Sequence, residues 1–381
     1  MKQVYLDNAA TTPLREEVIL KMTSVMREFF GNASSTHRYG RSSKVLIETI
    51  RKYIASTLGV TASEIVFTSG GTEANNQVLL YAVRDLQVKH IITSRIEHHA
   101  VLHTVEALAG QYDVKVDYID LDRTGHVDYS HLEELLKGKA GKALVSLMHI
   151  NNETGHILDL KRVGLLCRNY EALFHSDMVQ SVGHFKLDLN EIPVDFIVAS
   201  AHKFHGPKGI GFTFFRKEAG LKSLILGGEQ ERGLRAGTES VHNIVGLGEA
   251  LKLAYENLET EAQYIGELKS YFTKHLQEEI PEVKFNGNSD SLNSNTYTLV
   301  NVCLPFPAEK ASILLFQLDL KGVACSRGSA CQSGSQKGSH VLEAILNEED
   351  LKKASLRFSF SRFNTKEEID YAISAIKSCI S

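Results

Sequence analysis

Between about residue 14 and residue 250, short β-branched apolar runs alternate with longer segments of helical periodicity. The runs at 64–68, 90–94, 143–149, 172–176, 196–200 and 210–215 predict strands, with helices between most of them. That alternation predicts an α/β fold, a large domain of residues 14–250 built on a mainly parallel, doubly wound sheet. From about residue 251 the pattern changes. Residues 259–280 predict one long helix rich in Glu, Lys and Gln, 297–304 a strand, 308–320 a helix, 322–326 and 356–361 short strands, and 365–380 a closing helix. These predict a smaller α+β domain. The first dozen residues suit either domain, and we assign 1–13 to the smaller one with 251–381. Ligands of open α/β sheets bind beyond the carboxyl ends of the strands, so chemistry is expected just after the strands.

The 381 residues carry 42 Lys+Arg against 46 Asp+Glu, a formal net charge of −4, with 43% hydrophobic residues. A chain this long buries a sizeable core without disulfides or structural metals. The composition argues against disorder and small disulfide scaffolds, and the charge balance gives no footprint for nucleic acid. No run approaches the roughly 18 apolar residues of a membrane span. Residues 1–8 lack the apolar region of a secretory signal, so a cytoplasmic location is expected. The five cysteines, Cys167, Cys303, Cys325, Cys331 and Cys379, are odd in number and read as free thiols in a reducing compartment.

Chemistry-bearing residues follow the strands as expected. After the first, Gly70, Gly71 and Thr72 open a helix, a pattern that brings backbone N–H groups and a hydroxyl to an anion; a tight turn with a Thr N-cap is the competing reading. Asp177 ends an apolar strand, where its carboxylate needs a cationic or N–H partner. Lys203 lies between His202 and His205 after the next strand, a setting that can lower a lysine pKa as Schiff-base lysines require. Asp177 and Lys203 are 26 residues apart, one crossover, so both project from one sheet edge. A Schiff-base lysine, a carboxylate for a pyridinium nitrogen and a glycine-rich phosphate cradle are together the parts expected for pyridoxal phosphate. His98 and His99 follow the strand at 90–94. A histidine there can stack on the cofactor ring and exchange protons; metal binding by His99 and His103 competes, but no third ligand is spaced to complete a site. Cys331 lies in a small, polar, glycine-rich stretch, which favours an exposed, reactive thiol.

The sequence resembles the cysteine desulfurases, fold-type I pyridoxal-phosphate enzymes of the aminotransferase class V group. The resemblance runs almost the whole chain: residues 5–13, 31–37, 68–76, 97–98, 148–155, 175–183, 200–211, 235–239, the Cys331 segment and 357–360. Residues 326–338 resemble the longer cysteine loop of the iron–sulfur-assembly group. The resemblance implies that Lys203 holds the cofactor and moves the Cα proton, Asp177 pairs with the pyridine nitrogen, Gln180 bonds the ring oxygen and His98 stacks on the ring. It implies that Thr72, Ser200 and His202, with amides near Gly71, hold the phosphate, and that Thr238 reaches the phosphate of a neighbouring subunit in a homodimer. Asn152 and Arg357 would grip the substrate, Arg357 by a bidentate fork on its carboxylate. Cys331 would accept sulfur from L-cysteine as a persulfide, release alanine and serve a sulfur-acceptor protein such as an iron–sulfur scaffold or thiolation carrier. Ala33, Arg327, Gln332, Glu239 and Ser240 depart from the group's usual residues, and none removes a catalytic group. Two alternatives remain at this stage: a selenocysteine lyase or aminotransferase of the same fold, in which Cys331 is dispensable, and a non-enzymatic sulfur-delivery scaffold. Cys325 relays sulfur or packs, with packing the simpler role.

Overall fold

The computed structural model describes residues 2–327 and 338–380. In chain order the strands are β1 (Val4–Tyr5), β2 (Ile65–Thr68), β3 (His90–Thr93), β4 (Lys115–Tyr118), β5 (Ala143–Ser146), β6 (Leu173–Asp177), β7 (Phe196–Ser200), β8 (Gly211–Phe215), β9 (Lys284–Phe285), β10 (Leu299–Pro307), β11 (Val323–Ala324) and β12 (Lys353–Ser359). Seven of them form one sheet in the order β2-β8-β7-β6-β5-β3-β4. Pairing is parallel from β7 to β4, while β8 runs antiparallel to both β7 and β2.

Every residue of β2, β3, β5, β7 and β8 is buried. Strands covered on both faces read as unbroken apolar runs, which is why the sequence pattern locates them. The exception is β4, absent from the expected strands. It is an edge strand of sequence Lys-Val-Asp-Tyr, and its Asp117 binds Lys115 at 2.7 Å and His90 at 2.9 Å. Charges on an edge keep it from pairing further, and the same charges remove the apolar run.

One core lies around this sheet and includes Ile47, Phe67, Val145, Phe174, Ile197, Phe212 and Leu251. A second gathers Val4, Leu6, Leu268, Phe272, Val302, Leu356, Phe358 and Ile376 around the antiparallel sheet β12-β10-β9 and the helix Leu258–Glu279. The short β9 and the helices His340–Ile345 and Glu348–Leu351 have no counterpart among the sequence expectations. The N-terminal segment contributes to the second core through Val4 and Leu6, and β1 pairs in parallel with β11. Beyond β1 it crosses to the C-terminal edge of the large sheet, where Ala9 and Ala10 line a cavity.

Candidate active site

A cavity of about 380 Å³ opens at that edge. At one end β2 stops at Thr68 and the helix Gly71–Arg84 starts with no side-chain cap. Thr72 sits inside the first turn, so the Thr N-cap alternative does not apply. Gly70 has φ 149°, in the region that favours glycine, and a Cβ on Gly71 would meet Val179 Cγ2 at 2.7 Å. The turn is thus a cradle floored by backbone, with uncapped helix N–H groups at its mouth. Ser200 and His202, from the end of β7, line the same cavity. Burial brings His202 down to about 4, which leaves a neutral ring with its Nδ1 3.2 Å from Thr11 Oγ1.

Asp177 ends β6 and is 5% exposed. Its Oδ1 accepts from the Val179 N–H at 2.9 Å and its Oδ2 from Asn75 Nδ2 at 2.7 Å. Asn75 was missed in the sequence, although its spacing of three from Thr72 puts both on one helix face. Among the described residues Asp177 forms no ion pair. Lys203 follows β7, and its Nζ donates to the carbonyls of Ala9 at 2.6 Å and Ala10 at 2.8 Å. Gln180 Nε2 donates to the same Ala9 carbonyl at 3.0 Å.

His98 caps the helix His99–Gln111: its Nδ1 accepts from the Ala100 N–H at 3.1 Å. Burial lowers its pKa, more than the facing Asp177 charge raises it. The neutral ring therefore carries its proton on Nε2. Glu97, beside it, is fully enclosed. Its Oε1 accepts from the Met148 N–H at 2.6 Å, and burial holds its carboxyl well above the usual range. His340 Nε2 donates to the Glu97 carbonyl at 2.9 Å, and its ring lies 4.3 Å from that of His99. His99 and His103 do stack, at 4.7 Å, but among the described residues no three His, Cys, Asp or Glu side chains are gathered to hold a metal.

Asn152 and Arg357 close the other end of the cavity. Arg357 stands on β12, and its Nη1 donates to the Asn152 carbonyl at 2.7 Å. Its Nη2 meets Asp7 Oδ1 at 2.8 Å. Glu153 lies alongside; burial raises its carboxyl, which accepts from Ser339 Oγ. Asp7, Glu97, Glu153 and His340 carried no assigned role in the sequence. Thr238 is exposed and lies outside the cavity lining. Cys331 lies outside the described residues. Cys325 packs at the edge of the second core, and burial pushes its thiol up, away from the reactive thiolate.

The donor set fits pyridoxal phosphate. The cradle at Gly71 and Thr72 suits a phosphate. Among the described residues Asp177 is a buried carboxyl held by the neutral donors Asn75 Nδ2 and the Val179 N–H, a setting that suits a protonated ring nitrogen. Lys203 stands at the same cavity, as covalent attachment requires.

The Aminotransferase class-V family pattern matches residues 4–372. The chain is 40% identical to the cysteine desulfurase IscS of Dictyoglomus turgidum, over all of this chain and 95% of that one. It is 40% identical to the cysteine desulfurase IscS of Methanosarcina thermophila, over 98% of this chain and 91% of that one. The fold superposes on a solved NifS-like protein with a TM-score of 0.89 at 34% identity, covering 99% of both chains.

Proposed function

The chain belongs to the aminotransferase class-V family, and from that premise we infer that it is a pyridoxal-phosphate-dependent cysteine desulfurase. It converts L-cysteine to L-alanine and passes the sulfur to Cys331. The observation that carries this reading is the single cavity that gathers Lys203, Asp177, His98 and Arg357. The bound cofactor supplies an electron-accepting ring that stabilises negative charge at the substrate Cα.

The chain's own residues do the rest. Arg357 and Asn152 orient the substrate through its carboxylate. Lys203 takes the Cα proton, and the Ala9 and Ala10 carbonyls are positioned to accept from the resulting ammonium. Asp177, held by Asn75 Nδ2 and the Val179 N–H, would pair with the ring nitrogen. His98 offers its Nε2 proton on the cavity side. Gly71, Thr72, Ser200 and His202, which line the cavity, would hold the phosphate, and Gln180 would bond the ring oxygen. The Cys331 thiolate attacks the substrate sulfur; an S–S bond forms and the C–S bond breaks with its electron pair going to Cβ, Cβ takes up a proton, Lys203 returns the Cα proton, and L-alanine and a Cys331 persulfide result.

The exposed Thr238 is assigned to the phosphate of a second subunit, which makes the enzyme a homodimer. A sulfur-acceptor protein, an iron–sulfur scaffold or thiolation carrier, then takes the persulfide sulfur. The odd cysteine count, with Cys167, Cys303, Cys325 and Cys379 unpaired, supports a cytoplasmic setting. Replacing Cys331 with Ser tests the assignment: cofactor absorbance is retained and steady alanine release is lost. Wild-type turnover in Cys331→Ser removes this residue from the reaction.

A further inference from the structure

We propose that Asp7 is a positioning residue for the substrate, holding the Arg357 guanidinium in the orientation that takes the α-carboxylate. The proposal rests on the reading of Arg357 as the carboxylate-binding group. Arg357 is 2% exposed as a side chain, and its two terminal nitrogens have separate ties, Nη1 to the Asn152 carbonyl at 2.7 Å and Nη2 to Asp7 Oδ1 at 2.8 Å. Two anchors on different atoms fix both the plane and the rotation of a guanidinium. Its five N–H donors make these anchors compatible with a further bond to a ligand.

The Asp7 carboxylate is itself carried on a rigid strap. Leu6 N–H donates to the Ala324 carbonyl at 2.8 Å, Ser359 N–H to the Leu6 carbonyl at 2.7 Å, and Ala9 N–H to Ser359 Oγ at 2.8 Å. Asn8 Nδ2 bonds the Ser359 carbonyl at 2.8 Å. Two and three residues beyond Asp7, the same strap presents the two carbonyls that hold Lys203 Nζ. Residues 7–10 therefore set the positions of both functional cations, one by a carboxylate and one by main-chain oxygens. Glu153 is no substitute for Asp7, because burial favours its neutral form and Ser339 occupies it.

Arg357 meets the carboxylate equally in the ground and transition states, so a misplaced guanidinium raises KM and leaves kcat nearly unchanged. The test is alanine release from L-cysteine by cofactor-loaded Asp7→Ala, Asp7→Asn and Asp7→Glu. Asp7→Ala is expected to raise KM tenfold or more with kcat within threefold. Asp7→Asn keeps an oxygen for Nη2 and is expected within threefold of wild type in both. A folded Asp7→Ala with wild-type KM overturns the proposal, as does a fall in kcat at constant KM, the signature of a structural role alone. If Asp7→Ala does not fold, Asp7→Glu decides: its displaced carboxylate is expected to raise KM at least fivefold, and an unchanged KM overturns the proposal. If the wild type releases no alanine, the desulfurase reading fails by itself. Asp7 is then judged by L-alanine binding, followed through the cofactor absorbance: weakening in Asp7→Ala supports the proposal and unaltered binding overturns it.

Discussion

Arg51 and Glu231, 180 residues apart, form a fully buried fork-to-fork pair, with Nη1–Oε2 at 2.6 Å and Nη2–Oε1 at 2.7 Å. Glu231 also accepts from the Phe67 N–H at 2.8 Å, and Arg51 donates to the Ile65 carbonyl at 2.9 Å. The pair thereby ties the loop that leads to Thr238 onto β2, the strand that ends at the phosphate cradle. Arg51 Nε also meets the half-exposed Glu48 at 3.0 Å, so removing Glu231 leaves the buried guanidinium only partly compensated, at a cost of about 3 kcal/mol, the lower end for a broken buried pair. Glu231→Ala is expected to lose that much in denaturant unfolding, with little dependence on salt. A loss under 1 kcal/mol would contradict this account of the loop.

Burial depresses His149 to about 4 and His156, His175 and His205 to about 3. The unfolded chain, with histidines near 6.5, therefore binds more protons between those values. Stability is complete above pH 6.5 and falls with pH below it, by about 1.4 kcal/mol per group per pH unit. Glu97, Glu153 and Asp195 work in the opposite direction: their raised folded pKa values impose a penalty above the usual carboxylate range that eases on acidification. Burial also depresses His98, His99, His184 and His202, so the histidines outweigh the three carboxyls. The melting temperature is expected to fall by about 10 °C or more between pH 7.5 and pH 5. An unchanged value would contradict the burial of these rings.

Gly71→Ala places a methyl group 2.7 Å from Val179 Cγ2 and 4.0 Å from Ser200 Cβ, at the cradle floor. Overpacking of this kind costs about 1–3 kcal/mol, here taken largely from cofactor binding because the clash lies in the cavity wall. Titration of the apoprotein is expected to show pyridoxal phosphate binding at least tenfold weaker. Unaltered affinity would mean the phosphate sits elsewhere.

Cys325→Ala is expected to leave alanine release within twofold of wild type, because the Cys325 thiol is held protonated by burial. A loss comparable to that of Cys331→Ser would make Cys325 a sulfur relay.

The large sheet was legible in the sequence because strands such as Phe196–Ser200 are buried on both faces and show as unbroken apolar runs. Lys115–Tyr118 was not, since an edge strand keeps its charges. Asp177, Lys203 and His98 were legible because each ends or follows a strand and its side chain bears the chemistry. Ala9 and Ala10 were not, because they act through main-chain oxygens that no side chain advertises. Asp7, Glu97 and Glu231 stood in view as charged residues, with nothing in their neighbours to name their partners. Their partners Arg357, Met148 and Arg51 lie 350, 51 and 180 residues away, and only the folded chain pairs them.

The most direct test of the central claim is product stoichiometry when the purified, cofactor-loaded protein meets L-cysteine and a thiol reductant. Alanine and sulfide in equal amounts, over many turnovers, is the predicted result. A lysine-bound cofactor that yields keto acid from L-cysteine, or no alanine at all, would contradict it.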